Sequence, residues 1–231
     1  MRRKIFSIIG VVLLILAVQG CSSHPEKNLL ERYFHAISLN DAQTMATMSL
    51  QPLKIEADSW EIIQVSEESV NEASLPDLNK VELDLKKQKD ESIGFTLDAS
   101  DELDDAKFEL ENARTRNAKR AARKKIDELQ IKYDEIYEKH KNIQKQYNEA
   151  KAAAQKEEDI SLFSLNPGDE LPNIRDFLGD MTAKEVDIEC VMKDGTEKNY
   201  RVFMRKYVLK NEAAGYTHRG RWIITKFEVL K

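Results

Sequence analysis

Apolar positions recur along this chain with three different periods, and each period marks a different kind of element. Between Pro25 and Leu50, Leu29, Leu30, Tyr33, Phe34 and Ile37 return at helical spacing, so one face of a helix is apolar and turns to a core. Pro25 suits the first turn, where its missing N–H would have no partner anyway, and Glu26 complements the positive end of the helix macrodipole. Asn40-Asp41 breaks the pattern and supplies a fresh N-cap for a second short helix through Ala42, Met45, Ala46 and Met48. Ser59 to Ser66, with Trp60, Ile62, Ile63 and Val65, reads as a first strand.

The remaining strands fall at the far end. Lys184 to Lys193 and Thr196 to Leu209 flank Asp194-Gly195, a pair that tolerates the positive φ of a tight hairpin turn. Arg221 to Leu230, after Gly215 and Gly220, is a last strand. Cys190 shares the alternating face of Val186, Ile188 and Met192, with no His, Lys or Arg flanking it within that strand, so it is a core thiol and not a nucleophile.

The middle third follows a period near 3.5. From Pro76 to Pro167 there is no further proline and a single glycine, Gly94, while charged helix formers fill the stretch. Ile126, Tyr133, His140, Tyr147 and Ala154 occupy one heptad position and Leu129, Ile136, Ile143 and Ala150 the other, which is a coiled-coil seam. Earlier, Leu78, Val81 and Leu85, then Leu103, Ala106, Leu110 and Ala113, give a weaker seam with a disturbance at Gly94-Phe95. The two registers do not join, and the shift falls across Arg114 to Lys125, where seven basic residues and no acidic one occur. The expected structure is a helical hairpin with arms Asp77–Ala113 and Ala122–Glu158, turning near Asn117 and roughly 55 Å long. One uninterrupted helix from Asp101 to Glu158, pairing with another molecule, is the competing geometry.

Together these elements predict an α+β fold: helices on a curved antiparallel sheet, with the hairpin inserted between two parts of one domain. The expected division is a signal peptide over 1–20, the first part of the domain over 21–75, the hairpin over 76–160 and the second part over 161–231.

Composition sharpens this picture at the N-terminus. Arg2, Arg3 and Lys4 precede the apolar run Ile5 to Val18, too short to span a bilayer as a helix but suited to export and cleavage. Val18-Gln19-Gly20-Cys21 resembles the lipobox of bacterial lipoproteins, with Gln19 where a small residue is more usual. The resemblance implies that Cys21 is acylated and holds the mature chain to a membrane, since each buried acyl methylene adds about 0.8 kcal/mol. It places the protein in the bacterial cell envelope. Ser22, where an aspartate would resemble an inner-membrane retention signal, favours the outer membrane facing the periplasm if the organism is Gram-negative. With Cys21 acylated, Cys190 is left without a disulfide partner. The net charge is -5, and the mature chain is more acidic still once Arg2, Arg3 and Lys4 are removed, which argues against a general nucleic-acid binder.

Leu29-Leu30-Glu31-Arg32-Tyr33-Phe34-His35-Ala36-Ile37 with Asn40-Asp41-Ala42, together with Trp60-Glu61-Ile62-Ile63-Gln64-Val65 and Gly220-Arg221-Trp222-Ile223-Ile224, resembles the nuclear transport factor 2-like superfamily. The resemblance covers about residues 24 to 70 and 172 to 231, and the insertion after the first strand departs from the usual layout. It implies a sheet wrapped around a long helix with a pocket, and no particular activity.

The sequence contains no metal-ligand spacing, phosphate-binding loop or nucleophile elbow, so no catalytic residue, metal or cofactor is expected. Of the histidines, His24 lies beside the anchor, His35 beside an apolar helix face and His140 in the seam. His218, with Arg219 in the Gly215–Gly220 loop, is the candidate for ligand contact. The candidate partner-binding residues are Arg114, Arg116, Lys119, Arg120, Arg123, Lys124 and Lys125 at the hairpin tip, suited to a protein or anionic envelope partner. The functional expectation is a non-enzymatic, membrane-tethered interaction or scaffolding lipoprotein, with a periplasmic small-ligand binding protein as the alternative.

Overall fold

The computed structural model describes residues 24–168 and 170–230. The expected signal peptide and Cys21 lie outside the described residues. The order of elements is α1 (Pro25–Ser38), α2 (Ala42–Ala46), β1 (Ala57–Val65), β2 (Ser69–Glu72), α3 (Leu75–Asn112), α4 (Arg116–Leu165), a 3-10 turn (Ile174–Asp176), β3 (Leu178–Met192), β4 (Glu197–Asn211), β5 (Tyr216–Arg219) and β6 (Ile223–Val229). This is an α+β fold, with a curled antiparallel sheet and two long helices packed as a hairpin. In the sheet β1, β3, β4 and β5 are successive neighbours, while β2 also pairs with β3 and β6 with β4. Contacts divide the chain into two compact units.

Among the described residues the first unit comprises 24–69, 182–206 and 222–230. Its α1 presents Leu29, Leu30, Tyr33, Phe34 and Ala36 to a core shared with Val186, Ile188, Cys190, Val202, Met204 and Ile224. Phe34 stacks on Trp60 at 4.7 Å and Tyr33 on Phe227 at 5.3 Å, so aromatic faces fill the space between helix and sheet. Tyr33 keeps its hydroxyl satisfied by accepting from the Leu53 amide at 2.6 Å. At the end of α1, Asn40 takes a left-handed φ of 54°, and the Asp41 carboxylate accepts from the Thr44 amide, as the expected N-cap does.

Strand β1, from before the hairpin, pairs antiparallel with β3, from after it, with Trp60 opposite Cys190 and Ile62 opposite Ile188. The sheet is therefore assembled from sequence on both sides of the insertion. Two register shifts interrupt β1 within nine residues. One lies between Ile62 and Gln64; Ile63 is exposed while Trp60 and Ile62 pack on the core. Bulges of this kind blunt an edge strand against unwanted pairing. Asp194-Gly195 forms the expected turn: Gly195 has φ 79°, and the Asp194 carboxylate accepts from the Thr196 amide.

Among the described residues the second unit comprises 70–168, 170–181 and 207–221. Its hairpin differs from the sequence expectation at the turn and in arm length. Helix α3 has 38 residues and α4 has 50, and the chain reverses over Ala113 to Thr115 rather than near Asn117. Arg116 to Lys125 of the basic stretch is accordingly helical and forms the opening turns of α4, while Arg114 lies in the reversal. The α4 seam is the expected one, from Ile126 and Leu129 through Ala154, and it continues through Glu157, Ile160, Ser161 and Ser164.

The α3 seam corrects the expected disturbance. Leu75, Leu78, Glu82, Leu85, Lys89, Ser92, Thr96, Ala99, Leu103, Ala106, Leu110 and Ala113 form an unbroken alternation of threes and fours on its less exposed side. Val81 is on the outer side, 49% exposed, and Glu82 takes the inward position. The inward polar groups have partners: Ser92 hydrogen-bonds His140 at 2.7 Å, and Lys89 lies over the Tyr147 ring. Gly94 sits in open space and causes no break.

At the base of the hairpin, Arg175 reaches Glu82 at 2.6 Å, Glu158 at 2.8 Å and Gln155 at 2.9 Å, so one guanidinium joins the 3-10 turn to both arms. Tyr207 donates to Glu157 at 2.7 Å, and the Ser164 hydroxyl donates to the Arg221 carbonyl at 2.8 Å. A Cβ on Gly220 would collide with Ser164, which explains a glycine there.

Candidate functional site

The hairpin tip is built from the reversal and the first three turns of α4. Thr115 caps the helix, its hydroxyl accepting from the Ala118 amide at 3.2 Å, which satisfies one of the orphan amides. Arg114, Arg116, Lys119, Arg120, Arg123, Lys124 and Lys125 are all exposed. No acidic residue occupies the first turn, so the cations sit at the positive end of the macrodipole and reinforce it.

Two of the seven are engaged. Lys125 contacts both carboxylate oxygens of Glu109 on the facing arm at 2.9 Å, and Lys124 pairs with Glu128 at 3.5 Å along α4. Among the described residues, no ion pair holds Arg114, Arg116, Lys119, Arg120 or Arg123. Phe108, 67% exposed, borders the same end with Ala118 and Ala121. The tip thus offers several uncommitted guanidinium groups beside an exposed aromatic ring, a combination suited to an anion that also carries apolar surface.

His218 and Arg219 lie in β5 and not in a loop. Leu209 and Val208 of β4 pair with them, and the His218 ring stacks on Phe177 at 5.7 Å. That contact gives the half-buried His218 ring a packing partner. In the first unit, Glu31, Phe34, His35, Asp58 and Trp60 line a groove of about 280 Å³ beside α1. Cys190 is fully buried, and burial, with Glu189 nearby, pushes its thiol up to about 11, well above the thiolate range.

Sequence reasoning missed the ion cluster of the first unit. Glu26 is 3% exposed and meets Lys184 at 3.0 Å, while Lys184 also meets Glu68 at 3.0 Å and lies over the Trp222 ring. Burial raises the Glu26 carboxyl, but hydrogen bonds from its own amide, Lys184 and His24 outweigh this and hold it below its ordinary value. The signal available was Lys184 at an inward position of the alternating β3 pattern, which demands an acidic partner.

Among the described residues no group of three or more His, Cys, Asp or Glu could hold a metal ion, and no helix is long and apolar enough to cross a membrane. Comparison of the chain with protein-family models, with curated proteins and with solved structures finds no match.

Proposed function

We propose that this protein is a non-enzymatic lipoprotein of the bacterial cell envelope, tethered through Cys21 and acting as an interaction or scaffolding factor. The observation that carries the reading is the hairpin tip, where Arg116, Lys119, Arg120 and Arg123 are exposed at the positive end of α4 and, among the described residues, have no ion-pair partner. Anionic envelope material, including lipid head groups, cell-wall polymer or an acidic protein face, has the matching charge. The lipobox-like Val18-Gln19-Gly20-Cys21 supports membrane attachment.

The test is charge reversal at the tip, Arg116→Glu, Arg120→Glu and Arg123→Glu together, followed by co-purification from solubilised membranes. The expected outcome is loss of the co-purifying partner at an unchanged unfolding temperature, because exposed charges contribute little to stability. Undiminished co-purification would overturn the reading.

A second reading, a small-ligand binding protein with a nuclear transport factor 2-like domain, draws on the groove beside His35 and Trp60. At about 280 Å³ that groove is at the low end for small-molecule sites.

A further inference from the structure

The two arms of the hairpin leave a groove of about 430 Å³ along one side of their seam. Phe95, Asp98 and Glu91 line it from α3, and Ile136, Lys139 and Ile143 from α4. Phe95 is 63% exposed and lies outside the α3 seam, on the groove side. Among the described residues no ion pair holds Asp98 or Lys139, and Glu91 has only the exposed contact to Lys87 at 3.9 Å, while Glu102 and Lys132, which also line the groove, pair with each other at 2.6 Å.

Cross-arm contacts fix the relative heights. Ser92 bonds His140 and Glu102 bonds Lys132, so Phe95, between them in sequence, is level with the turn that carries Lys139. Glu91 and Asp98 lie one helical turn to either side of that level. The walls therefore differ in sign at the same height, acidic on α3 and basic on α4.

We propose that this groove receives the same groove of a second copy of the chain. A two-fold axis parallel to the helices lays each α3 on the other copy's α4 at equal height. Phe95 then meets the second copy's Ile136 and Ile143, while Glu91 and Asp98 bracket its Lys139, and the whole set repeats through the symmetry. An axis across the helices would instead lay α3 on α3, setting acid against acid. The product is an antiparallel four-helix bundle over the middle of the hairpin. The groove spans about four turns, so contact confined to it buries on the order of 400 Å² per copy, below the roughly 800 Å² of a stable complex. The pairing is accordingly weak and concentration-dependent. It uses a different surface from the basic tip and stands independently of the tip's partner.

The test is carbodiimide cross-linking of the purified full-length chain in detergent, across a series from about 1 µM to 1 mM, with half the molecules carrying heavy nitrogen. Links between light and heavy chains then identify inter-copy contacts by mass. Three preparations are compared: the unaltered chain, a Glu91→Lys/Asp98→Lys variant and a Lys139→Glu variant. The expected result is Lys139 linked to Glu91 or Asp98 between copies of the unaltered chain, rising with concentration. In each variant alone the dimer fraction, read by sedimentation velocity over the same concentration series, falls about tenfold, because positions 91, 98 and 139 then face like charge across the copies. A mixture of the two variants regains both the dimer and the inter-copy links, because opposite walls meet again. Unchanged helicity by circular dichroism assigns the loss to pairing and not to unfolding. An undiminished dimer fraction in either variant alone, no recovery in the mixture, or no inter-copy link in the unaltered chain would overturn the proposal.

Discussion

Glu26 carries two messages at the scale of the single residue. In sequence it is an acid in a first helical turn, a position explained by the macrodipole. In the folded chain it is buried against Lys184, with the His24 ring donating at 3.0 Å to the other oxygen. Its folded proton affinity lies below the ordinary value of 4.5, so the pair's contribution is complete above that value and is lost as pH falls through the lower folded one. For Lys184, whose affinity is raised from 10.5 by Glu68 and Glu26 despite burial, the contribution is complete below 10.5 and is lost only as pH rises past the folded value. Thermal unfolding of the unaltered chain and of Glu26→Gln, followed from about pH 7 to about pH 3, is expected to show a gap that narrows with acidification. A gap of constant width would refute the assignment. Lys184→Met, which leaves the carboxylate buried without its cation, is expected to cost about 3 kcal/mol at neutral pH in denaturant unfolding.

At the scale of the element, the α4 seam was legible because nearly every inward position through Ala150 is apolar or aromatic, and the α3 seam was not because Glu82, Lys89, Ser92 and Thr96 hold inward positions. Periodicity of apolar residues chose Val81 over Glu82. Tertiary partners chose the reverse, since Arg175, nearly a hundred positions away in sequence, supplies the charge that Glu82 needs. This difference can be measured. Leu103→Ala, at a buried seam position, is expected to lower stability by about 2–4 kcal/mol, and Val81→Ala by no more than about 0.5 kcal/mol, in denaturant unfolding. Equal losses would mean that Val81 is a seam residue after all. The strand β5 was missed for a related reason: Tyr216-Thr217-His218-Arg219 has no alternating pattern and is recruited by pairing with Val208 to Asn211.

For the whole molecule, the insertion follows from a covalent fact and a geometric one. An antiparallel hairpin brings the chain back near its point of departure, which lets β1 find β3 across more than a hundred intervening residues. Loop-closure cost rises only logarithmically with length, so so large an insertion is tolerated once it is itself ordered. Attachment belongs to this scale too. Cys21→Ser is expected to shift the protein from the membrane to the soluble fraction while leaving its circular dichroism spectrum unchanged, because the described fold begins after that residue. Retention on the membrane would count against acylation.

The sequence by itself determined the classes of element and most of their places: the paired short helices, the Asp194-Gly195 hairpin, the core thiol and the two-armed coiled coil. These are decided locally, by the period of apolar side chains and by capping and turn chemistry that act within a few residues. Only the tertiary structure decided which polar groups turn inward, where the chain reverses and which exposed groups share a surface. Glu26 with Lys184, Glu82 with Arg175 and Phe95 beside Lys139 are meetings across long sequence separations, and a polar or aromatic residue takes its environment from the partner that packing brings to it.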